Sequence, residues 1–181
     1  MNKLFLSQFL ACILFFTSCG AQQNQDKSER DIVGGPFENR EWTYYQIPDN
    51  IDAIDTSLGW QQAGQKLLVT GTVFKQDGHS PAANIVLYYY QTNDEGHYKH
   101  LPDQKISMPP NNQGQTHGAI RGWVKTDAEG KYYIYTIRPG VYPSRDEPAH
   151  IHVTAKEPSE IPEYYLDDFV FDDDVLLPSA I

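Results

Sequence analysis

Residues 121–126 and 131–137 are two short runs rich in aromatic and β-branched side chains, and only Asp127-Ala-Glu-Gly130 separates them. Runs of this length bounded by turn residues form strands rather than helices. Gly130 can adopt the positive φ that a bulged turn requires. The pattern therefore predicts a β-hairpin over 121–137. Similar runs recur along the chain. Residues 67–74 are followed by the turn Gln76-Asp-Gly-His79-Ser-Pro81, and residues 84–90 by a turn at Asp94-Glu-Gly96. Strands are also expected over 151–155 and 164–171, with an acidic turn at Asp172 to Asp174. No internal repeat is present. Short strands with frequent turns predict an all-β fold, a two-sheet β-sandwich over residues 66–176.

His150-Ile-His152 lies in one of these strands. Residues two apart point to the same face of a strand, so the two imidazoles converge. Imidazole suits iron, copper, nickel and zinc. Tyr142, in the loop just before, can reach the same point, and Tyr98, after the Gly96 turn, would complete a set of two nitrogens and two oxygens. Phenolate is a hard anionic donor and tilts the choice toward ferric iron. His97 and His100 flank Tyr98 and suit the surface or the surroundings of the site. His117 lies in a long Pro-, Asn- and Gly-rich stretch over 101–118 that reads as a loop above a site. Tyr88, Tyr89 and Tyr90 alternate between faces and read as packing.

The formal net charge of −10 excludes a nucleic-acid partner, which needs a basic surface. Residues 1–18 read as a signal peptide: Lys3, an apolar run to Phe16, then Thr17-Ser18 before Cys19. Lipid attached at Cys19 would anchor an exported lipoprotein, with outer-membrane attachment or a periplasm-facing position expected. Cys12 leaves with the signal, so no intramolecular disulfide can form. Residues 21–30 read as a polar tether, and 31–62, with Trp42, Tyr44, Tyr45 and Trp60, as an extension that packs on the domain. Residues 19–65 together precede the sandwich.

Several pieces of this text are similar to the intradiol ring-cleavage dioxygenases, the catechol and protocatechuate dioxygenase family. They are Gly71-Thr-Val73, Asn93-Asp-Glu-Gly96-His-Tyr98, Arg121-Gly122, Thr136-Ile-Arg-Pro-Gly-Val-Tyr142-Pro and Pro148-Ala-His-Ile-His152. The resemblance implies a mononuclear, non-haem Fe(3+) held by Tyr98, Tyr142, His150 and His152. It implies cleavage of a small aromatic diol with O2, with Tyr142 the tyrosinate that substrate displaces. Relatives of this family are commonly multimeric, which allows a homo-oligomer here. Two positions depart from the family's text. Glu147 stands where the family has an arginine that stabilises charge on the reacting ring, with Arg145 the nearby substitute. Asp168 stands where it has glutamine. Two alternatives therefore stay open: an iron-binding relative with weak activity, and a non-enzymatic cell-surface β-sandwich that binds another molecule.

Overall fold

The computed structural model describes residues 40–177. The signal peptide, Cys19 and the tether lie outside the described residues. A five-residue helix α1 (Arg40–Tyr44) is followed by β1 (Ile54–Thr56), the 3-10 helix Leu58–Gln61, β2 (Lys66–Thr72), β3 (Val86–Tyr90) and β4 (Arg121–Lys125). Then come β5 (Lys131–Ile137), β6 (His150–Lys156), β7 (Tyr164–Tyr165) and β8 (Phe169–Val170). The strands form two sheets, a smaller one in the order β1-β5-β2 and a larger one in the order β4-β3-β6-β7, with β8 also on β6. The expected two-sheet sandwich is the observed fold.

The hairpin over 121–137 is not. Strand β4 pairs with β3 in the larger sheet, and β5 pairs with β1 and β2 in the smaller one. The turn itself forms as expected, with Gly130 at φ +73° and the Asp127 side chain accepting from the Lys131 amide. Its strands diverge because each satisfies its backbone elsewhere: Lys125 N donates to Asp52 O and Tyr133 N to Ala53 O. A turn motif fixes a reversal of direction but not the sheet that each arm joins. The run 164–171 also differs from the expected single strand. It breaks into β7, opposite Thr154 and Ala155, and β8, opposite His150 and Ile151. Residues between them bulge outward, as an interrupted ladder does. The segment before Lys66 also enters the fold, since β1 adds a parallel strand to β5.

The main core lies between the sheets. Leu87, Tyr89, Val124, Ile134, Ile151 and Val153 are buried there, each aliphatic side chain contributing ~1.5–3 kcal/mol of burial. The outer face of the larger sheet is covered as well. Tyr88, Tyr90 and Trp123 form a second cluster against Ile51, Tyr98 and Ile106. Arg121, fully buried on this face, holds the cover down. Its guanidinium donates to the Trp42, Tyr45 and Ile106 carbonyls at 2.7–3.0 Å and to the Tyr88 hydroxyl at 2.8 Å. One side chain thus joins α1, the long loop and the sheet, a role that the sequence text did not reveal.

Candidate metal centre and cavity

The outer face of the larger sheet carries the candidate site. His150 and His152, two apart on β6, present Nε2 atoms 3.1 Å from each other. The Tyr142 hydroxyl lies 3.2 Å from each of them and 2.8 Å from the Tyr98 hydroxyl. All four residues named from the sequence therefore meet. Two loops make this meeting possible. The Asn93 carbonyl accepts from the Gly140 amide at 2.8 Å, and Thr92 Oγ1 donates to the Gly140 carbonyl at 2.9 Å. Gly96, at φ +81°, passes so close to the Val141 carbonyl that any Cβ there would collide with it.

The imidazoles are oriented from behind. His150 Nδ1 donates to the Pro148 carbonyl at 2.7 Å, and His152 Nδ1 donates to Asp168 Oδ1 at 2.9 Å. In the neutral rings both protons are then on Nδ1, and both Nε2 lone pairs point inward. Two facing lone pairs repel unless a proton or a cation lies between them. Donor atoms each ~2.1 Å from a shared first-row ion lie roughly 3 Å apart, which is the spacing here. His150, His152 and Asp168 also group closely enough to hold an ion among them. Asp168 already receives the His152 proton, so its place is behind the imidazole, fixing ring and tautomer. The bulge between β7 and β8 puts it there.

Burial pushes the Tyr98 phenol well above its usual range, reinforced by the neighbouring Tyr142. Burial raises Tyr142 too, with added repulsion from Glu147 and Asp168 against a lowering hydrogen bond from Tyr98. Neither ionises at neutral pH without a cation beside it. Such a cation inverts that preference, as metals do for coordinating acids.

A cavity of about 570 Å³ opens on this cluster. Tyr98, Tyr142 and His152 form its floor, and Trp42, Tyr90, His117 and residues 114–116 its walls. The long loop over 101–118 thus does border the site. Tyr90 stacks on His152 at 4.5 Å, and His117 stacks on Tyr90 at 3.5 Å and 4°. Trp42 meets His117 edge-on at 4.9 Å. Trp42 comes from α1, far in sequence from the segments that carry the site's tyrosines and histidines, and nothing in the local text marked it as a wall of the cavity. Exposed His97 also borders the cavity, while His100 bonds Ser107 Oγ at 3.0 Å.

Arg145 and Glu147 are exposed and do not line the cavity. Arg145 has φ +54°, and its amide donates to the Tyr142 carbonyl, closing a turn that projects outward. Glu147 touches the site only through its charge on Tyr142. The acidic turn serves structure: Asp173 makes a bidentate pair with Arg138, and Asp174 accepts from the Ala149 amide beside His150.

A family model described as Dioxygenase matches residues 44–181. The chain belongs to the intradiol dioxygenase family. It is 37% identical over 95 residues to the protocatechuate 3,4-dioxygenase beta chain of Burkholderia cepacia, covering 49% of this chain and 37% of that one. It is 32% identical over 121 residues to catechol 1,2-dioxygenase 1 of Acinetobacter lwoffii, covering 65% and 35%. The chain therefore spans about a third of the length of these curated relatives. Among solved structures it is similar to the dioxygenase domain of a dioxygenase carbohydrate-binding fusion from Streptomyces sp. SirexAA-E. That match has 26% identity and a TM-score of 0.51, covering 78% of this chain and 73% of the other. Hydroxyquinol 1,2-dioxygenase from Pseudomonas putida DLL-E4 shares the fold, with a TM-score of 0.52 at 23% identity over 85% of this chain and 52% of that one.

Proposed function

We propose that the chain is an intradiol ring-cleavage dioxygenase acting on a catechol-type aromatic and O2, with one mononuclear ferric ion held by Tyr98, Tyr142, His150 and His152. The convergence of two inward Nε2 lone pairs and two phenol oxygens within about 3 Å carries this reading. Two phenolates balance two of the three ferric charges, while the imidazoles add none. Ferric iron bound there supplies Lewis acidity, which favours the diol as its dianion and activates the ring toward O2. Tyr142 Oη, on a loop and within 3.2 Å of the three other donor atoms, would help hold the ion and is placed to take up a diol proton. Tyr98, packed against Tyr90, is the more firmly fixed of the two phenols. His152 is held in orientation by Asp168, and Tyr90, His117 and Trp42 offer aromatic surface to the ring. The further expectations are export, a lipid on Cys19 and a homo-oligomer.

Metal analysis and the visible spectrum test this. One iron per chain and a reddish tyrosinate-to-iron absorption are expected, and Tyr142→Phe should shift the colour. A protein that stays colourless and iron-free after ferrous loading and air oxidation would overturn the reading.

One observation favours the slower, iron-binding alternative. Among the described residues neither arginine nor lysine lines the cavity, and Glu147 and Asp168 add negative charge beside Tyr142. Each ~1.4 kcal/mol lost from transition-state stabilisation costs about tenfold in rate. Glu147→Arg should therefore speed catechol cleavage a few-fold at unchanged iron content, solvent screening of this exposed position holding the gain below about tenfold. No gain with iron still bound removes Glu147 from the argument.

A further inference from the structure

His117 is more than a packing residue. Its Nδ1 lies 2.7 Å from the Tyr88 hydroxyl, and Arg121 Nε donates to that same hydroxyl at 2.8 Å. A guanidinium remains charged and offers only donors, so the Tyr88 oxygen accepts from Arg121. The one acceptor left for the Tyr88 proton is His117 Nδ1. Nδ1 therefore carries a lone pair, and the ring proton is on Nε2. No hydrogen bond uses Nε2 among the described residues, and no sealed side-chain nitrogen or oxygen among them lacks a partner. Nε2 thus opens on the cavity that His117 lines. Burial, reinforced by Arg121 and His152, pulls the imidazole pKa down to about 3, so the ring stays neutral.

The result is an uncharged N–H donor, locked in tautomer and orientation, on the wall of the cavity. It stands one stacked ring from the floor, with Tyr90 between it and His152. A diol anchored on the tyrosine–histidine cluster would meet it with a substituent on the far side of the ring. The Arg121 guanidinium behind it donates to Tyr88, Tyr45, Trp42 and Ile106, is fully buried and does not line the cavity, so it offers no clamp to an anion there. A carboxylate brought to Nε2 would lose hydration with no arginine or lysine among the described lining residues beside it to compensate. A neutral oxygen acceptor loses far less.

We propose that His117 Nε2 is a specificity determinant that donates a hydrogen bond to a neutral oxygen substituent, a carbonyl foremost, on the ring of the bound aromatic diol. This rests on the dioxygenase reading above and names its substrate class. The iron-loaded full chain is titrated without oxygen against catechol, 4-acetylcatechol and protocatechuate, following visible absorption and tryptophan fluorescence. The ketone is expected to bind about fivefold tighter than catechol, the worth of one hydrogen bond, and tighter than the carboxylate. His117→Asn keeps an acceptor for Tyr88 but lacks the outer donor, and the ketone-to-catechol preference should fall to about one. His117→Gln returns a donor to the place of Nε2 and should recover the preference. Equal binding of ketone and catechol by the unaltered protein, tighter binding of the carboxylate, or a preference that survives His117→Asn would each overturn the proposal. Equal binding of ketone and catechol, or tighter binding of the carboxylate, by the unaltered protein overturns the proposal even if neither variant folds. Iron-loaded protein that binds no diol at all overturns the dioxygenase reading as well, which separates the two failures.

Discussion

Strand β6 serves two different regions at once. Ile151 and Val153 enter the core between the sheets, while His150 and His152 face the cluster of phenols and imidazoles on the other side. Strand β3 repeats the division, with Leu87 and Tyr89 inward and Tyr88 and Tyr90 outward. The inner face is largely aliphatic and held by burial. The outer face is aromatic and polar, and it is held by directed hydrogen bonds, stacking and the Arg121 guanidinium. Period-two alternation allows both on one backbone, so a chemical site can lie one peptide unit from the core. Stability and chemistry should then separate at the level of neighbouring residues.

The sharpest way to break that comparison is to change neighbours on β6. Val153→Asp places an unpaired charge in the core and should cost on the order of 4 kcal/mol or more, read by chemical denaturation. His152→Ala should cost about 1–2 kcal/mol in the iron-free protein, yet abolish stoichiometric iron binding by metal analysis. Iron retained by His152→Ala, or a mild effect of Val153→Asp, would show that the two faces are not divided in this way.

A smaller effect is expected behind the imidazole. Asp168→Ala removes the acceptor that holds His152 Nδ1–H and should weaken iron binding by roughly 10–100-fold without lowering the unfolding midpoint. Competition with a chelator measures it. An unchanged affinity would mean that His152 is oriented by stacking on Tyr90 alone.

The smallest expected effect concerns Asp55, a half-buried carboxylate on β1 that reaches Tyr89 of the inner face. Asp55 accepts from the Tyr89 hydroxyl at 2.8 Å, and burial, outweighing that bond and others from the backbone, raises its pKa above 3.8. The folded state therefore prefers the neutral acid. The stability this provides is complete below the unfolded-state value near 3.8 and is lost as pH rises through the higher folded-state value. Asp55→Asn should flatten the pH dependence of unfolding over that acidic interval. An unchanged profile would move the origin of the dependence to the outer face.

Local text carried much of this protein. Short runs of aromatic and β-branched residues bounded by turns at 67–74, 84–90 and 151–155 predicted strands that the fold contains with small shifts at their ends. His150-Ile-His152 shares a face because the side-chain period of a strand is a local property. Gly96 and Gly130 marked turns because positive φ is a single-residue preference. Tyr98 and Tyr142 were legible as candidate oxygen donors, and family text singled them out as ligands, but their approach depends on two loops that local periodicity does not relate.

Other features depended on partners distant in the chain. The Asp127–Gly130 turn looks the same in a hairpin and at a crossing between sheets; burial of Val124 and Ile134 on opposite walls of one core, with backbone bonding to 52–53, decided for the crossing. The break at 166–168 follows from pairing with β6, and it contains Asp168, which meets His152. Trp42, His117, Tyr88 and Arg121 meet on the outer face through contacts spanning up to 79 residues. Alternation and turn preference act over a few residues and can be read from the sequence, whereas sheet membership, a histidine tautomer and the walls of a cavity arise only when distant segments satisfy one another's hydrogen bonds and exclude water together.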